Sequence, residues 1–194
     1  RESQKTATVV ISIIWTFSII LPATVPVVKL PKPTGPFNVG TAIFHWTDTT
    51  RTEWFTEEPG DLRKMMIQLW YPANNNSRNK ASPYIDHIDL RAQAIGDRVG
   101  LPSFMLNHLN LVKTHSFIEA SPIESKELFP LIIFSHGLGG MRNQNTVLME
   151  ELASTGYAVV AMDHPYDANM TIFPPNSEAS AERIADYRSA IPEG

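Results

Sequence analysis

Short apolar runs and one helical apolar stripe follow one another in the middle of the chain. Residues 131–134 and 157–162 are almost wholly apolar and rich in β-branched side chains, which is typical of strands buried on both faces of a parallel sheet. Between them, residues 143–155 place apolar side chains at helical spacing and end at Gly156, which suits a helix C-terminus. The pattern predicts a strand, a helix and a strand joined as a right-handed crossover.

Two alternating segments precede this unit. Residues 39–46 and 65–71 alternate enough to predict strands, with a turn at residues 48–51 after the first of them. Their order predicts antiparallel strands that open the sheet. Residues 114–127 lead into the first buried strand and are predicted as a loop, in which His115 is a surface or hydrogen-bonding residue.

The segment 83–111 has a different pattern, because its apolar residues recur at roughly helical intervals on both sides of a break at residues 100–102. This predicts two helices. Inserted ahead of the first buried strand, they are interpreted as a lid or a wall of a substrate channel, or as helices that simply pack on the sheet. Near the C-terminus, residues 178–190 are predicted to begin another helix.

The N-terminal segment contains no charged side chain from residue 6 to residue 28, and residues 9–21 are nearly all apolar. About 20 apolar residues span a bilayer. We therefore predict a transmembrane helix and the start of a linker in residues 1–30, which makes the protein membrane-associated. The alternatives are the core of a signal peptide in a secreted protein and a buried element of the globular domain. Residues 31–194 are predicted to form the N-terminal half of one α/β domain.

Composition excludes several classes of protein. The net charge is −4, and no stretch concentrates Lys and Arg, which argues against a nucleic-acid partner. The chain has no cysteine, so it has neither a disulfide framework nor a thiolate nucleophile. Its six histidines show no metal-ligand spacing, so no metal and no other cofactor are predicted.

A glycine-rich turn, Ser135-His136-Gly137-Leu138-Gly139-Gly140, follows the first buried strand. It is not a phosphate loop, because no lysine follows Gly140, and it lacks the third glycine of a dinucleotide fingerprint. A His-Gly pair followed by more glycine after an apolar strand is the form of the oxyanion-hole loop in α/β-hydrolases.

This interpretation assigns one residue a direct role. The backbone amide of Leu138 would donate a hydrogen bond to the oxyanion, and the loop would be supported by His136, Gly137, Gly139 and Gly140. The alternative is a tight turn that uses glycine only for packing.

The segments FPLIIFSHGLGG and LASTGYAVVAMDHPYDAN resemble the platelet-activating-factor acetylhydrolase family. PKPTGPFNVGT, WTDTTRTE and LWYPA upstream are similar to the N-terminal half of that family, so the resemblance covers residues 31–169. It implies an α/β-hydrolase fold, which is a doubly wound, mostly parallel sheet with antiparallel opening strands. It also implies a serine esterase that cleaves short or oxidised acyl chains from phospholipids with a Ser-His-Asp triad.

The family's GxSxG nucleophile elbow does not occur in this sequence. The resemblance therefore implies that the nucleophile and its Asp and His partners follow Gly194, and that this chain is truncated before the elbow and inactive alone. Asp163 and His164 come too early in the chain for the triad and are assigned to the active-site rim. Ser135 stands before the glycines of the glycine-rich turn, outside any elbow, which argues against a nucleophilic role.

Three hypotheses about function remain open. The first is an esterase of the platelet-activating-factor acetylhydrolase type, acting on a small-molecule or phospholipid ester through an acyl-enzyme. The second is a broader carboxylesterase of the dienelactone-hydrolase kind. The third is a catalytically inactive hydrolase-like module that is tethered to the membrane and binds a partner.

Overall fold

A computed structural model describes residues 2–24, 27–74, 80–174 and 183–186. Its three α-helices are α1 (Glu2–Thr24), α2 (Ile88–Val99) and α3 (Thr146–Ser154). Its eight strands are β1 (Asn38–Thr52), β2 (Leu62–Ala73), β3 (Ala81–Pro83), β4 (Lys113–Ile118), β5 (Leu131–Ser135), β6 (Ala158–Asp163), β7 (Met170–Phe173) and β8 (Arg183–Asp186).

Six strands form one mixed sheet in the order β3-β4-β1-β2-β6-β5, and β7 pairs with β8 separately. β1 and β2 are antiparallel, as predicted for the opening strands, and β2 continues antiparallel to β6. β5 and β6 are parallel and joined through α3, which confirms the predicted crossover. The chain thus has the alternating strands and helix of an α/β sheet.

The hydrophobic core lies between α3 and one face of this sheet. Trp70 of β2 and Ala153 of α3 are fully buried, and Val39, Met149, Val159 and Ala161 complete the cluster. Alternate side chains of each strand point to this face, where they pack against the apolar side of α3. Burial of these apolar groups is the main stabilising contribution in this part of the fold.

Several large apolar side chains are exposed on the other face of the sheet in the described part of the chain. Phe44, Trp46, Leu131 and Ile133 point to it and are 52%, 60%, 59% and 64% exposed. Among the described strands, β5 pairs with β6 alone. Exposed apolar side chains grouped on one face mark an interaction surface.

The prediction of a transmembrane helix in residues 1–30 is wrong. A helix does form over Glu2–Thr24. Among the described residues, however, no helix has the length and apolar character that crossing a bilayer requires. The apolar run of residues 9–21 is shorter than the roughly 20 residues needed, and Ser12, Thr16 and Ser18 interrupt it. The membrane-associated location and the membrane partner, which both depended on this helix, are corrected with it, whereas secretion stays a prediction.

Four smaller predictions also need correction. β1 continues through the turn predicted at residues 48–51. The predicted loop 114–127 contains most of β4, which pairs with β1 and β3. Of the two helices predicted in 83–111, the first is α2, but the second is a pair of short 3-10 turns. Within the predicted helix 178–190, residues 183–186 form β8, and the rest lies outside the described residues.

The predicted linker packs against the end of α3. Thr34 donates from its backbone N–H to Glu151 at 2.8 Å, and the Gly35 N–H donates to Ser154 Oγ at 3.0 Å. A Cβ on Gly35 would lie 2.1 Å from the Ser154 carbonyl oxygen, so only glycine fits there. These contacts hold the entry to β1 beside α3, while the domain boundary near residue 31 stays a prediction.

Glu150 is a carboxyl group buried between α3 and β4. Its side chain is fully buried, and Oε1 accepts the backbone N–H of His115 at 2.8 Å. Burial raises the pKa of Glu150 above its usual 4.5, although hydrogen bonds from Ser116 and His115 act in the opposite direction. The folded state therefore holds this proton more tightly than the unfolded chain does.

We expect Glu150→Gln to stabilise the protein relative to the wild type at neutral pH. As pH rises above about 4.5, the unfolded wild-type chain releases the Glu150 proton first, so wild-type stability falls through this window, whereas the glutamine variant has no proton to lose. Urea unfolding at acidic and neutral pH measures the difference.

Glu151→Gln is the matched control for this experiment. Hydrogen bonds from Thr34 lower the pKa of the neighbouring Glu151, so neutralising that carboxylate should have the opposite sign above its titration. An advantage of Glu150→Gln that stays constant with pH would contradict the raised pKa.

Candidate active site

The edge where β5 and β6 end brings the predicted site residues together. β5 ends at Ser135, and residues 136–140, here called the glycine turn, follow directly. β6 runs parallel to β5 and ends at Asp163, with His164 next in the chain. Ligands of open α/β sheets bind beyond the carboxyl ends of the strands. The predicted oxyanion loop and the predicted rim residues therefore lie at one edge of the sheet.

His136 is held by both of its ring nitrogens. Nδ1 lies 2.8 Å from the carbonyl oxygen of Gly137, and Nε2 accepts the backbone N–H of His164 at 3.1 Å. A carbonyl oxygen only accepts, so Nδ1 bears the proton, and Nε2 is unprotonated because it accepts. The two contacts together require a neutral imidazole with its proton on Nδ1.

The peptide group between Gly137 and Leu138 is oriented through its carbonyl oxygen. That oxygen accepts from His136 Nδ1 and from the Gly140 N–H, each at 2.8 Å. In a trans peptide the C=O and N–H point in opposite directions, so the Leu138 N–H points away from both donors. Within the described part of the chain, no acceptor binds the Leu138 N–H. This amide is free to meet a ligand, which an oxyanion donor requires.

The three glycines of the turn have different reasons to be glycine. Gly139 has φ +68°, and a Cβ there would lie 2.0 Å from Nη1 of Arg98. A Cβ on Gly140 would lie 2.9 Å from the Gly137 carbonyl oxygen, whereas one on Gly137 would meet nothing within 4 Å. Backbone angle and close packing thus require glycine at two positions, and the space beside Gly137 is open.

The turn is tied to the segment that follows β6. The Gly139 N–H donates to the carbonyl of Asp167 at 2.6 Å, and the Asn169 N–H donates to the carbonyl of Gly140 at 2.8 Å. Both bonds join backbone to backbone, so they do not depend on side-chain identity. They fix the position of the glycine turn relative to the residues that precede β7.

Ser135 and His164 form a direct contact at this edge. Ser135 Oγ lies 2.7 Å from His164 Nε2, and the His164 and His136 rings are 5.2 Å apart. Burial lowers the pKa of His164 from its usual 6.5, and the nearby His136 ring and the Arg63 guanidinium act in the same direction. A neutral His164 that binds Ser135 and His136 has the contacts that a loop-ordering residue needs.

A cluster of four charged residues beside the turn was not predicted from the sequence, which placed only Asp163 at the active-site rim. They are called here the buried ion network and comprise Asp86, Arg91, Arg142 and Asp163. Arg91, Arg142 and Asp163 are almost fully buried, while the Asp86 side chain is 16% exposed. Arg142 forms ion pairs with both Asp163 and Asp86, and Arg91 lies between the same two carboxylates.

One sequence signal could have indicated this network. Arg91 lies three residues after Ile88 and four before Ile95, on the apolar stripe of the predicted helix. A cation on that stripe must find a buried partner or leave the core. The sequence does not reveal which of the many acidic residues is the partner.

The sheet order and the glycine turn at its carboxyl edge define an α/β-hydrolase-like protein. A solved ferulic acid esterase from Streptomyces cinnamoneus superposes on it with a TM-score of 0.59 and 29% sequence identity, over 81% of this chain and 40% of that one. Residues 23–189 match the family of platelet-activating factor acetylhydrolase, isoform II. The chain belongs to this family, as the resemblance in the sequence predicted.

Curated relatives agree with this assignment. The platelet-activating factor acetylhydrolase of Cavia porcellus is 32% identical over 140 residues, which are 70% of this chain and 28% of that protein. A putative phospholipase A2 of Schizosaccharomyces pombe is 31% identical over an alignment of 153 residues that covers 70% of this chain and 32% of that protein. The chain thus spans about a third or less of the length of these relatives.

Proposed function

We propose that this chain is the N-terminal part of a serine esterase that cleaves acyl esters, with short or oxidised acyl chains of phospholipids as the substrate class. The main support is the Leu138 N–H, which is oriented by the two hydrogen bonds on the Gly137 carbonyl and has no acceptor in the described residues. Family membership and the names of the relatives favour ester cleavage.

The chemistry follows the serine mechanism. A serine beyond Gly194 would attack the ester carbonyl and form a tetrahedral intermediate, whose collapse releases the alcohol and leaves an acyl-enzyme that water hydrolyses. The Leu138 amide would donate one of the hydrogen bonds to the oxyanion of each tetrahedral intermediate. Its triad partners, an Asp and a His, would follow the serine in the chain.

The exposed sheet face is consistent with a protein that continues beyond Gly194. β5 has an open edge, and Ile133 beside it is 64% exposed. We propose that a strand after Gly194 pairs with β5 and ends in the nucleophile elbow, next to the glycine turn. The chain of residues 1–194 alone would then lack the nucleophile and be inactive.

The test has two steps. The reading frame past Gly194 is first examined for a GxSxG between an apolar strand and a helix. The full-length protein, meaning the chain with that extension, is then treated with a fluorophosphonate and assayed on acetyl and long-chain phospholipid esters and on a feruloyl ester. Labelling with preference for the short phospholipid ester supports the proposal.

The other outcomes select the other hypotheses. Labelling with preference for non-lipid esters supports a broader carboxylesterase of the dienelactone-hydrolase kind; the ferulic acid esterase that shares the fold makes the feruloyl ester a useful member of the panel. If the full-length protein does not label and hydrolyses none of the esters, the serine mechanism is wrong and an inactive binding module takes its place.

Two variants of His136 separate its two hydrogen bonds. The asparagine amide nitrogen is as many bonds from the backbone as Nδ1, so His136→Asn keeps the donor to the Gly137 carbonyl. His136→Gln places its amide near Nε2 and loses that donor. We expect the glutamine variant to lose about a hundredfold in kcat and the asparagine variant less than about tenfold, because only the former frees the Gly137–Leu138 peptide.

The readout is kcat and KM of the full-length variants on one ester, with thermal unfolding to confirm that both are folded. Both variants alter a buried contact, since His136 is 8% exposed, so each is compared with the other rather than with the wild type alone. Equal losses in kcat would show that orientation of the peptide is not what His136 supplies.

A further inference from the structure

The buried ion network joins three parts of the chain that are distant in sequence. Asp86 and Arg91 belong to the inserted segment that contains α2, Arg142 follows the glycine turn, and Asp163 ends β6. Two cations and two carboxylates balance in charge. Ions removed from water are costly unless they are paired and hydrogen-bonded, so this arrangement is maintained only while all three parts stay in place.

Arg142 is the centre of the network. Its backbone N–H donates to Asp163 Oδ1 at 2.6 Å, and its guanidinium forms a short ion pair with Asp163 Oδ2 through Nη1. Its Nη2 binds Asp86 Oδ2 at 2.5 Å. Because one carboxylate binds both the backbone and the side chain of Arg142, the chain two residues after Gly140 is fixed against β6.

The same network holds α2. Arg91 Nη1 donates to the Met170 carbonyl at 2.5 Å, and Arg91 Nε donates to the Asp86 carbonyl at 3.1 Å. At the other end of the helix, Arg98 Nη2 donates to the carbonyl of Leu138 at 3.1 Å. α2 is therefore bound to the site at both ends.

The electrostatics favour permanent charges here. Burial alone would raise the pKa of Asp86, but Arg142 and Arg91 outweigh it and hold that pKa below its usual 3.8. Burial alone would lower the pKa of Arg142, whereas Asp163 and Asp86 raise it. Buried ion pairs add little stability compared with apolar contacts, and their best-supported use is to specify one arrangement.

We propose that Arg142 is a positioning residue for the oxyanion donor and that, through Asp86, its guanidinium fixes α2 as a rigid wall of the substrate site. Of the interpretations given for the segment 83–111, the proposal therefore favours a fixed wall of the substrate channel and not a mobile lid. The inference rests on the proposed esterase function.

Kinetics of full-length variants test the positioning role. Arg142→Lys keeps one charge but lacks the planar fork that binds two carboxylates, so we expect kcat to fall at least about tenfold while KM changes less than about threefold. Asp86→Asn removes only the carboxylate that links Arg142 to α2. Because Asp86 is partly exposed, this variant should still fold. It should lower kcat less than Arg142→Lys does. A purely structural role would lower the folded fraction and leave kcat per labelled site unchanged.

Arg51→Met is the matched control. Arg51 forms an ion pair with Asp48 at 2.5 Å, but its side chain is 63% exposed, and the residue lies near the C-terminal end of β1. Exposed pairs of this kind contribute little. This variant should keep both kcat and KM.

Hydrogen exchange of residues 88–99 tests the rigid wall without any substitution. In the wild-type full-length protein, amides of α2 should exchange at the same rate, within about twofold, before and after fluorophosphonate labelling. In Asp86→Asn they should exchange faster. A large change in wild-type protection on labelling would show that α2 moves as a lid and would overturn this part.

Active-site labelling separates the two levels of failure. A full-length protein that does not label refutes the esterase function itself. A protein that labels and turns over, but in which Arg142→Lys retains wild-type kcat per labelled site, refutes the positioning role while the esterase function stands.

Discussion

Replacing Gly139 by valine in the full-length protein is expected to lower kcat on an ester at least about a hundredfold, the typical loss for one oxyanion donor. Gly139 has φ +68°, which a β-branched residue does not adopt without strain. The new side chain would also displace the Arg98 guanidinium, which donates to the Leu138 carbonyl. The turn would then lose the geometry that presents the Leu138 amide.

Gly60→Val is the matched control, because Gly60 also has a positive φ, +84°, but lies in the hairpin between β1 and β2, where a Cβ would meet nothing within 4 Å. It should show a similar backbone strain without loss of kcat. Thermal unfolding reports the strain of both variants, and kcat per labelled serine reports the turn. If Gly139→Val retains wild-type kcat, the oxyanion assignment of Leu138 is wrong.

Ile133→Lys is expected to have opposite effects on two lengths of the protein. In residues 1–194 expressed alone, Ile133 is 64% exposed beside an open strand edge, so a lysine should raise the monomeric fraction by blocking edge-to-edge pairing. In the full-length protein, further chain would bury this position. An unpaired ammonium there should destabilise the fold by about 3 kcal/mol or more.

Leu128→Lys is the control for this pair of experiments. Leu128 is 98% exposed and lies before β5, so the same change of an apolar residue to lysine should alter neither solubility nor stability appreciably. Size-exclusion chromatography measures the short chain, and urea unfolding measures the long one. A full-length Ile133→Lys protein of wild-type stability would show that nothing covers this face. The proposed pairing of a strand beyond Gly194 with β5 would then be wrong.

The hydrophobic core around Trp70 was easier to predict from the sequence than the buried ion network. The residues around Trp70 are apolar at strand or helix spacing, and each segment shows its buried face by itself. The network, in contrast, joins Asp86 to Asp163 through Arg142, and its members are widely separated in the sequence. Charged residues at such separations become partners only when the chain has folded, and no local period indicates them.

The errors in secondary structure have related causes. β4 was predicted as a loop because its alternation is short, yet it is a strand through its pairing with β1 and β3. Pairing with a neighbour supplies hydrogen bonds that local propensity does not reveal. A helix does form in the N-terminal segment, as predicted, but its apolar run is too short to cross a bilayer.

By itself, the sequence determined the crossover of β5, α3 and β6, the antiparallel opening strands, the glycine turn and the family, because these depend on local period, on adjacent residues and on contiguous motifs. Only the tertiary structure decided that the Gly137 carbonyl is held by His136 and Gly140, and that Arg142 meets carboxylates from two distant segments. Hydrogen bonds and buried ion pairs depend on distances in space. The chain sets those distances only after the sheet has assembled.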